Sequence, residues 1–249
     1  MEESPLHPFE LHNYIPINLF GLDISINQAV IMMWVVVGLT AFLLVKAGAS
    51  RRMVPTKLQS LAELLVGFIR DIIHDTMGKD GMRFFPFIAT LFLFIFFCNL
   101  LGLIPGTFTV TSQIVVTATF ALFVYSMSIV VGFLLHGIKF LSILVPPGTP
   151  GWLLPLMVPI ELISQLARPV SLAVRLFANM TAGHTILAVL FGLTIGGGLL
   201  IGWLPFAFTL FMNGLEVGIA VIQAYIFTIL TCVYLGDAIT LHGHADHAH

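Results

Sequence analysis

Apolar residues in this chain fall into long runs separated by short polar links, and the run lengths set the first expectations. About 20 apolar residues in a helix cross a bilayer core. The first such run, 25–46, is opened by Asp23, Ser25 and Asn27 and closed by Lys46 and the Gly48, Ser50, Arg51, Arg52 exit. A second span, 84–103, stops at Pro105-Gly106, and a third, 114–135, stops at His136, Gly137 and Lys139. The short polar link 107–113 makes these two antiparallel neighbours. Residues 55–76 differ: Leu58, Leu61, Leu65, Phe68, Ile69 and Ile72 recur at helical spacing, while Lys57, Glu63, Arg70, Asp71 and His74 occupy the remaining surface. That pattern predicts an interfacial amphipathic helix.

After a loop marked by Pro146, Pro147, Gly148, Pro150 and Gly151, the apolar character of 152–193 and 203–235 persists for about 40 and about 30 residues, on the order of 60 and 50 Å of helix. Both exceed a hydrocarbon core of about 30 Å, so strongly tilted helices are expected, or helices broken at Pro155, Pro159 and Pro169. Gly196, Gly197, Gly198 and Gly202 mark the turn between them. The prediction is an all-α polytopic membrane protein, one membrane domain over 1–249. It has five crossings, the interfacial helix, an outer N-terminal arm (1–24) and a His-rich tail (236–249).

Composition agrees and narrows the class. The chain is 58% apolar and 9% charged, against about 25% charged in an average soluble domain. A net charge of −2 without a basic patch gives no footprint for nucleic acid. Cys98 and Cys232 lie in apolar runs without metal or redox spacing, so both are expected buried and reduced. The acidic N-terminus lacks the basic n-region of a signal peptide. His242, His244, Asp246, His247 and His249 are metal-ligand types without constrained geometry, so a solvated tail is expected, with no metal or cofactor.

The ten basic residues orient the spans. Lys46, Arg51, Arg52, Lys57, Arg70, Lys79 and Arg83 lie between the first and second spans and Lys139 between the third and fourth. By the positive-inside rule the N-terminus faces outside and the C-terminus inside.

The two remaining cations, Arg168 and Arg175, stand inside the fourth apolar stretch. A guanidinium keeps its proton in a protein, so each is a fixed charge at or near membrane depth. Glu161, Arg168 and Arg175 are spaced by seven, with Ser164, Ser171 and Asn179 near the same stripe and His184 beyond. Glu216, Gln223 and Asp237 form a second stripe at multiples of seven on the fifth helix. In an antiparallel hairpin turning near the glycines, one register sets His184 near Glu216 toward the outside, Arg175 opposite Gln223 in the middle and Glu161 opposite Asp237 toward the inside. Two acidic ends around a central fixed cation make an ion path that is interrupted in the middle. Arg175 is the functional charge in this reading. Arg168 is expected to snorkel or to pair with Glu161, a structural or supporting role, and Asp237 is either a channel acid or an interface residue.

Those residues carry a resemblance. The run from Ser164 through Arg168, Ser171, Arg175 and Asn179 to Gly183-His184 resembles the signature of subunit a of the F-type ATP synthase membrane sector, mitochondrial or alphaproteobacterial type. The stretch from Glu216 through Gln223 to Tyr234 resembles that subunit's last helix. The His7-Pro-Phe-Glu10 and Asn99 to Pro105 motifs extend the match over nearly the whole chain.

The resemblance implies a non-catalytic stator subunit forming two offset half-channels against a rotating ring of c subunits, each with a membrane carboxylate. It places Arg175 as the central charge with Gln223 opposite, Asn179, His184 and Glu216 in the outer half-channel, Glu161 and Asp237 in the inner one, and Arg168 and Ser171 in support. The implied partners are the c-ring, peripheral-stalk b-type subunits, the rest of the ATP synthase and the lipid bilayer. The implied location is the bacterial inner membrane, or alternatively the mitochondrial one. A proton- or sodium-coupled secondary transporter would also pair charges at mid-depth; inverted repeats would favour it, and none is visible. An inert membrane anchor would not need a central arginine.

Overall fold

A backbone in lipid must satisfy its own hydrogen bonds, so long apolar runs become long helices. The computed structural model describes residues 13–15, 18–19, 22–23, 25–49, 57–104, 109–145, 150–198 and 202–240. The His7 to Glu10 motif, Pro105, residues 146–149 of the proline-rich loop and the histidines of the tail lie outside the described residues.

Two short antiparallel strand pairs precede the helices: β1 (Asn13–Ile15) with β4 (Ile26–Asn27), and β2 (Asn18–Leu19) with β3 (Leu22–Asp23). The helices are α1 (Gln28–Ala49), α2 (Lys57–Met77), α3 (Phe85–Gly102), α4 (Ile114–His136), α5 (Leu154–Gly196) and α6 (Trp203–Ile239). Among the described residues, five segments are long and apolar enough to cross a membrane; they take in α1 as far as Lys46 and all of α3, α4, α5 and α6. Short 3₁₀ segments at Lys79–Phe84, Val110–Ser112, Gly137–Leu144 and Gly151–Leu153 tighten the connections.

α5 is one helix of 43 residues, continuous through Pro159 and Pro169, so the alternative of a helix broken at its prolines is set aside. Pro155 sits in its first turn, where a missing N–H costs nothing. α6 has 37 residues and runs on to Ile239, so Asp237 belongs to the helix and not to a tail starting at 236. At 1.5 Å per residue both helices are far longer than a bilayer core is thick, which requires tilt.

α6 is the hub. Ala224, Phe227, Cys232, Tyr234, Leu235 and Ala238 from its buried face enter one core with Ile69, Ile73 and Met77 of α2, Ile88 and Phe92 of α3, Val124 of α4 and Leu172 and Leu176 of α5. Polar pins hold its height. Asn99 Nδ2 donates to the Ala220 carbonyl at 3.4 Å, Ser128 Oγ donates to the Tyr234 carbonyl at 2.8 Å, and His136 Nε2 lies 3.0 Å from the Ile239 carbonyl. α1 packs at the edge, where Val36 meets Cys98 and Val110. Cys98 and Cys232 are both free and buried.

The amphipathic pattern of α2 splits in use. Ile69, Ile72, Ile73 and Met77 are buried, whereas Leu61, Leu64 and Phe68 are exposed. Its C-terminal half is therefore bound to the bundle through α6, and its N-terminal half presents apolar side chains outward. Trp34, Val45, Val115, Leu134, Ile138, Trp152 and Leu210 are likewise exposed on the outer surface, as a lipid-facing belt requires.

Candidate functional site

The polar residues of α5 and α6 form a seam along the hairpin, with partners that differ in detail from equal-height pairing. At its centre Gln223 is buried, and its Oε1 accepts a hydrogen bond from Asn179 Nδ2 at 3.2 Å. Gln223 thus engages Asn179 and not Arg175. Arg175 is exposed and pairs with no carboxylate among the described residues. Ser171, one turn before it, is exposed on the same face.

At the end nearer the α5–α6 turn, Glu216 is 7% exposed, and neither of its carboxylate oxygens has a hydrogen-bond partner. The carboxylate lies directly on Gly183: a Cβ at that position would overlap Glu216 Oε1. Glycine is what allows α6 to press its acid against the α5 backbone. His184 is the next residue, about 100° further round the helix, and its Nε2 lies 2.8 Å from Thr109 Oγ1. His184 and Glu216, expected near each other at similar depth, thus belong to adjacent places, Glu216 on Gly183 and His184 against the link between α3 and α4. Asn99 Oδ1, Thr111 Oγ1 and Thr181 Oγ1 are also buried without partners. Buried polar atoms left unpaired are costly.

At the end of the seam far from the α5–α6 turn, the expected placing of Glu161 opposite Asp237 and the alternative Arg168–Glu161 pair both give way to another pairing. Arg168 Nη1 lies 3.7 Å from Asp237 Oδ2, with the two side chains 41% and 49% exposed. Glu161 Oε1 accepts from Gln165 Nε2 at 3.1 Å. Side chains lean toward the N-terminus of their own helix, so in an antiparallel pair the residues that touch sit later in both helices than residues at equal backbone height. The shift is largest for the long arginine. Asp237 lines a cavity of about 200 Å³ with Tyr125, Leu162, Gln165 and Tyr234, and Glu161 approaches it only through its hydrogen bond with Gln165.

Thr109 is the contact that sequence reasoning did not find. Nothing in helical spacing links a residue in a short polar turn to a histidine 75 positions on.

Fold and seam together define a polytopic helical membrane protein with ionisable groups along its long hairpin on either side of an exposed arginine, the class of an ion-translocating subunit. A family model described as ATP synthase A chain matches residues 30–236. The protein called ATP synthase subunit a of Magnetococcus marinus is 51% identical over 248 residues, covering 96% of this chain and 94% of that protein. Its namesakes from Rhodospirillum rubrum and Pelagibacter ubique are 46% and 45% identical, covering 96% and 97% of this chain and 99% and 100% of their own lengths. The chain belongs to the ATP synthase A chain family, the non-catalytic, proton-translocating membrane subunits of that complex, and not to the secondary transporters.

Proposed function

We propose that Arg175 is the charge at which translocation is interrupted and restarted, and that its partner is the membrane carboxylate of a c-ring subunit. The observation that carries this is an exposed guanidinium on a membrane helix with no carboxylate of its own chain among the described residues. A permanent cation at that depth calls for an anion, and here it must come from another chain.

On this reading protons enter from the outside past His184, Glu216 and Asn179 and neutralise a ring carboxylate, whose desolvation cost then falls enough for it to turn into lipid. After nearly a full turn of the ring the carboxylate meets the inner end near Glu161 and Asp237, loses its proton and returns to Arg175 as an anion. Each proton crossing 100 mV releases about 2.3 kcal/mol, which the ring delivers as torque. Arg168 holds Asp237, Gln223 positions Asn179, and Ser171 contributes to the ring-facing surface.

The bacterial relatives favour the bacterial inner membrane, with the N-terminus outside and the C-terminus cytoplasmic. The exposed N-terminal half of α2 is the surface offered to membrane or b-type stalk. The test is cross-linking: a cysteine at Ser171 or Ala178, flanking Arg175 on its exposed face, should form disulfides with cysteines on the ring's outer helix in assembled complex. Cross-links absent from both positions, yet formed from exposed positions on α1, would place the ring elsewhere and sink the proposal.

A further inference from the structure

The outer end of the seam has a third wall, and it reaches the proton path through one hydroxyl. Thr109 is 5% exposed and opens the 3₁₀ turn Val110–Ser112 that joins α3 to α4. Its Oγ1 donates to the Gly102 carbonyl at 3.1 Å and also lies 2.8 Å from His184 Nε2. A hydroxyl has one proton to give. Gly102 is the last residue of α3, and Pro105, three residues on, carries no N–H, so the Gly102 carbonyl draws on the Thr109 proton. With its proton committed there, Thr109 can only accept from the imidazole.

We infer that Thr109 is a positioning residue for His184: it holds Nε2 as the protonated nitrogen and leaves Nδ1 as the nitrogen that exchanges protons along the outer path. This rests on the reading of His184 as part of that path. Which ring nitrogen carries the proton is set by the bond the other nitrogen makes, and a histidine relay works only when the exchanging nitrogen faces the path. The site is built for this contact. A Cβ at Gly102 would stand 2.7 Å from Thr109 Cγ2, so glycine is needed for the threonine to sit against the helix end. Ser112 clamps the same residue, its Oγ and its N–H both donating to the Thr109 carbonyl at 2.7 and 3.2 Å.

The ionisable group brought to this end by the facing helix is Glu216, through Gly183; α3 and the outer link contribute Asn99, Thr109, Thr111 and Ser112, which do not titrate, and Cys98 lies against Val36. Thr109 is thus the fixed, pH-independent anchor of the relay.

The test uses ATP-driven proton uptake by membrane vesicles carrying the whole ATP synthase. Thr109→Val keeps the shape and removes the hydroxyl; it should lower the rate roughly three- to ten-fold at unchanged content of the chain in the complex. Thr109→Ser should restore most of the rate. In a His184→Ala background, Thr109→Val should add nothing, because the hydroxyl acts only through the imidazole. A wild-type rate for Thr109→Val overturns the inference, as does an equal loss in the His184→Ala background, which would make the threonine a packing residue. If His184→Ala alone leaves uptake unchanged, the outer-path reading of His184 fails and takes this inference with it. A harmful His184→Ala beside a harmless Thr109→Val defeats this inference alone.

Discussion

Gly183 and Glu216 show how much one side chain decides here. Because the Glu216 carboxylate rests where a Cβ would be, Gly183→Val must displace it from its place against α5. Proton uptake should fall at least about ten-fold while the chain still assembles, since loss of orientation at a reacting group commonly costs that much. Uptake at the wild-type rate would show that the carboxylate's place against α5 does not matter. Glu216→Gln, which keeps the size and loses the proton site, should also slow uptake without impairing assembly. Arg168 and Asp237 are in contact, so Arg168→Gln and Asp237→Asn should be non-additive in their effect on flux; strictly additive losses would mean that the 3.7 Å contact carries no coupling. The ionisable residues themselves were legible in the sequence, because charge inside an apolar run is costly and heptad spacing gathers it on one helix face. Their partners were less so, because a register computed from backbone height ignores the lean of each side chain toward its own N-terminus.

Among the elements, the hairpin of α5 and α6 works only because α2, α3 and α4 brace it. Phe227, fully buried in the shared core, should cost about 3–5 kcal/mol when replaced by alanine. Leu61, exposed on α2, should cost within about 0.5 kcal/mol. Thermal release of the chain from purified complex in detergent separates the two; a milder effect at Phe227 than at Leu61 would contradict the assignment of α6 as hub. The helices and their approximate ends were readable from run length, since lipid leaves an apolar run no other structure. Two features were not. A proline inside an apolar run leaves a broken and a continuous α5 equally readable, and the two halves of α2 share one amphipathic pattern while only the C-terminal half is buried.

For the molecule as a whole, the proposed orientation rests on the basic residues and the proposed path on the seam between α5 and α6. A cysteine at Lys139 should react with a membrane-impermeant thiol reagent from the cytoplasmic side only, and one at Gly197, in the turn between α5 and α6, from the other side only; the reverse pattern would invert the proposed direction of entry. Between those surfaces stands Arg175, an exposed cation that no carboxylate of the described chain neutralises. The most direct test is ATP-driven proton pumping by the assembled complex with Arg175→Ala: pumping should be abolished while the complex still forms, whereas vesicles that acidify at the wild-type rate would contradict the central role assigned to Arg175.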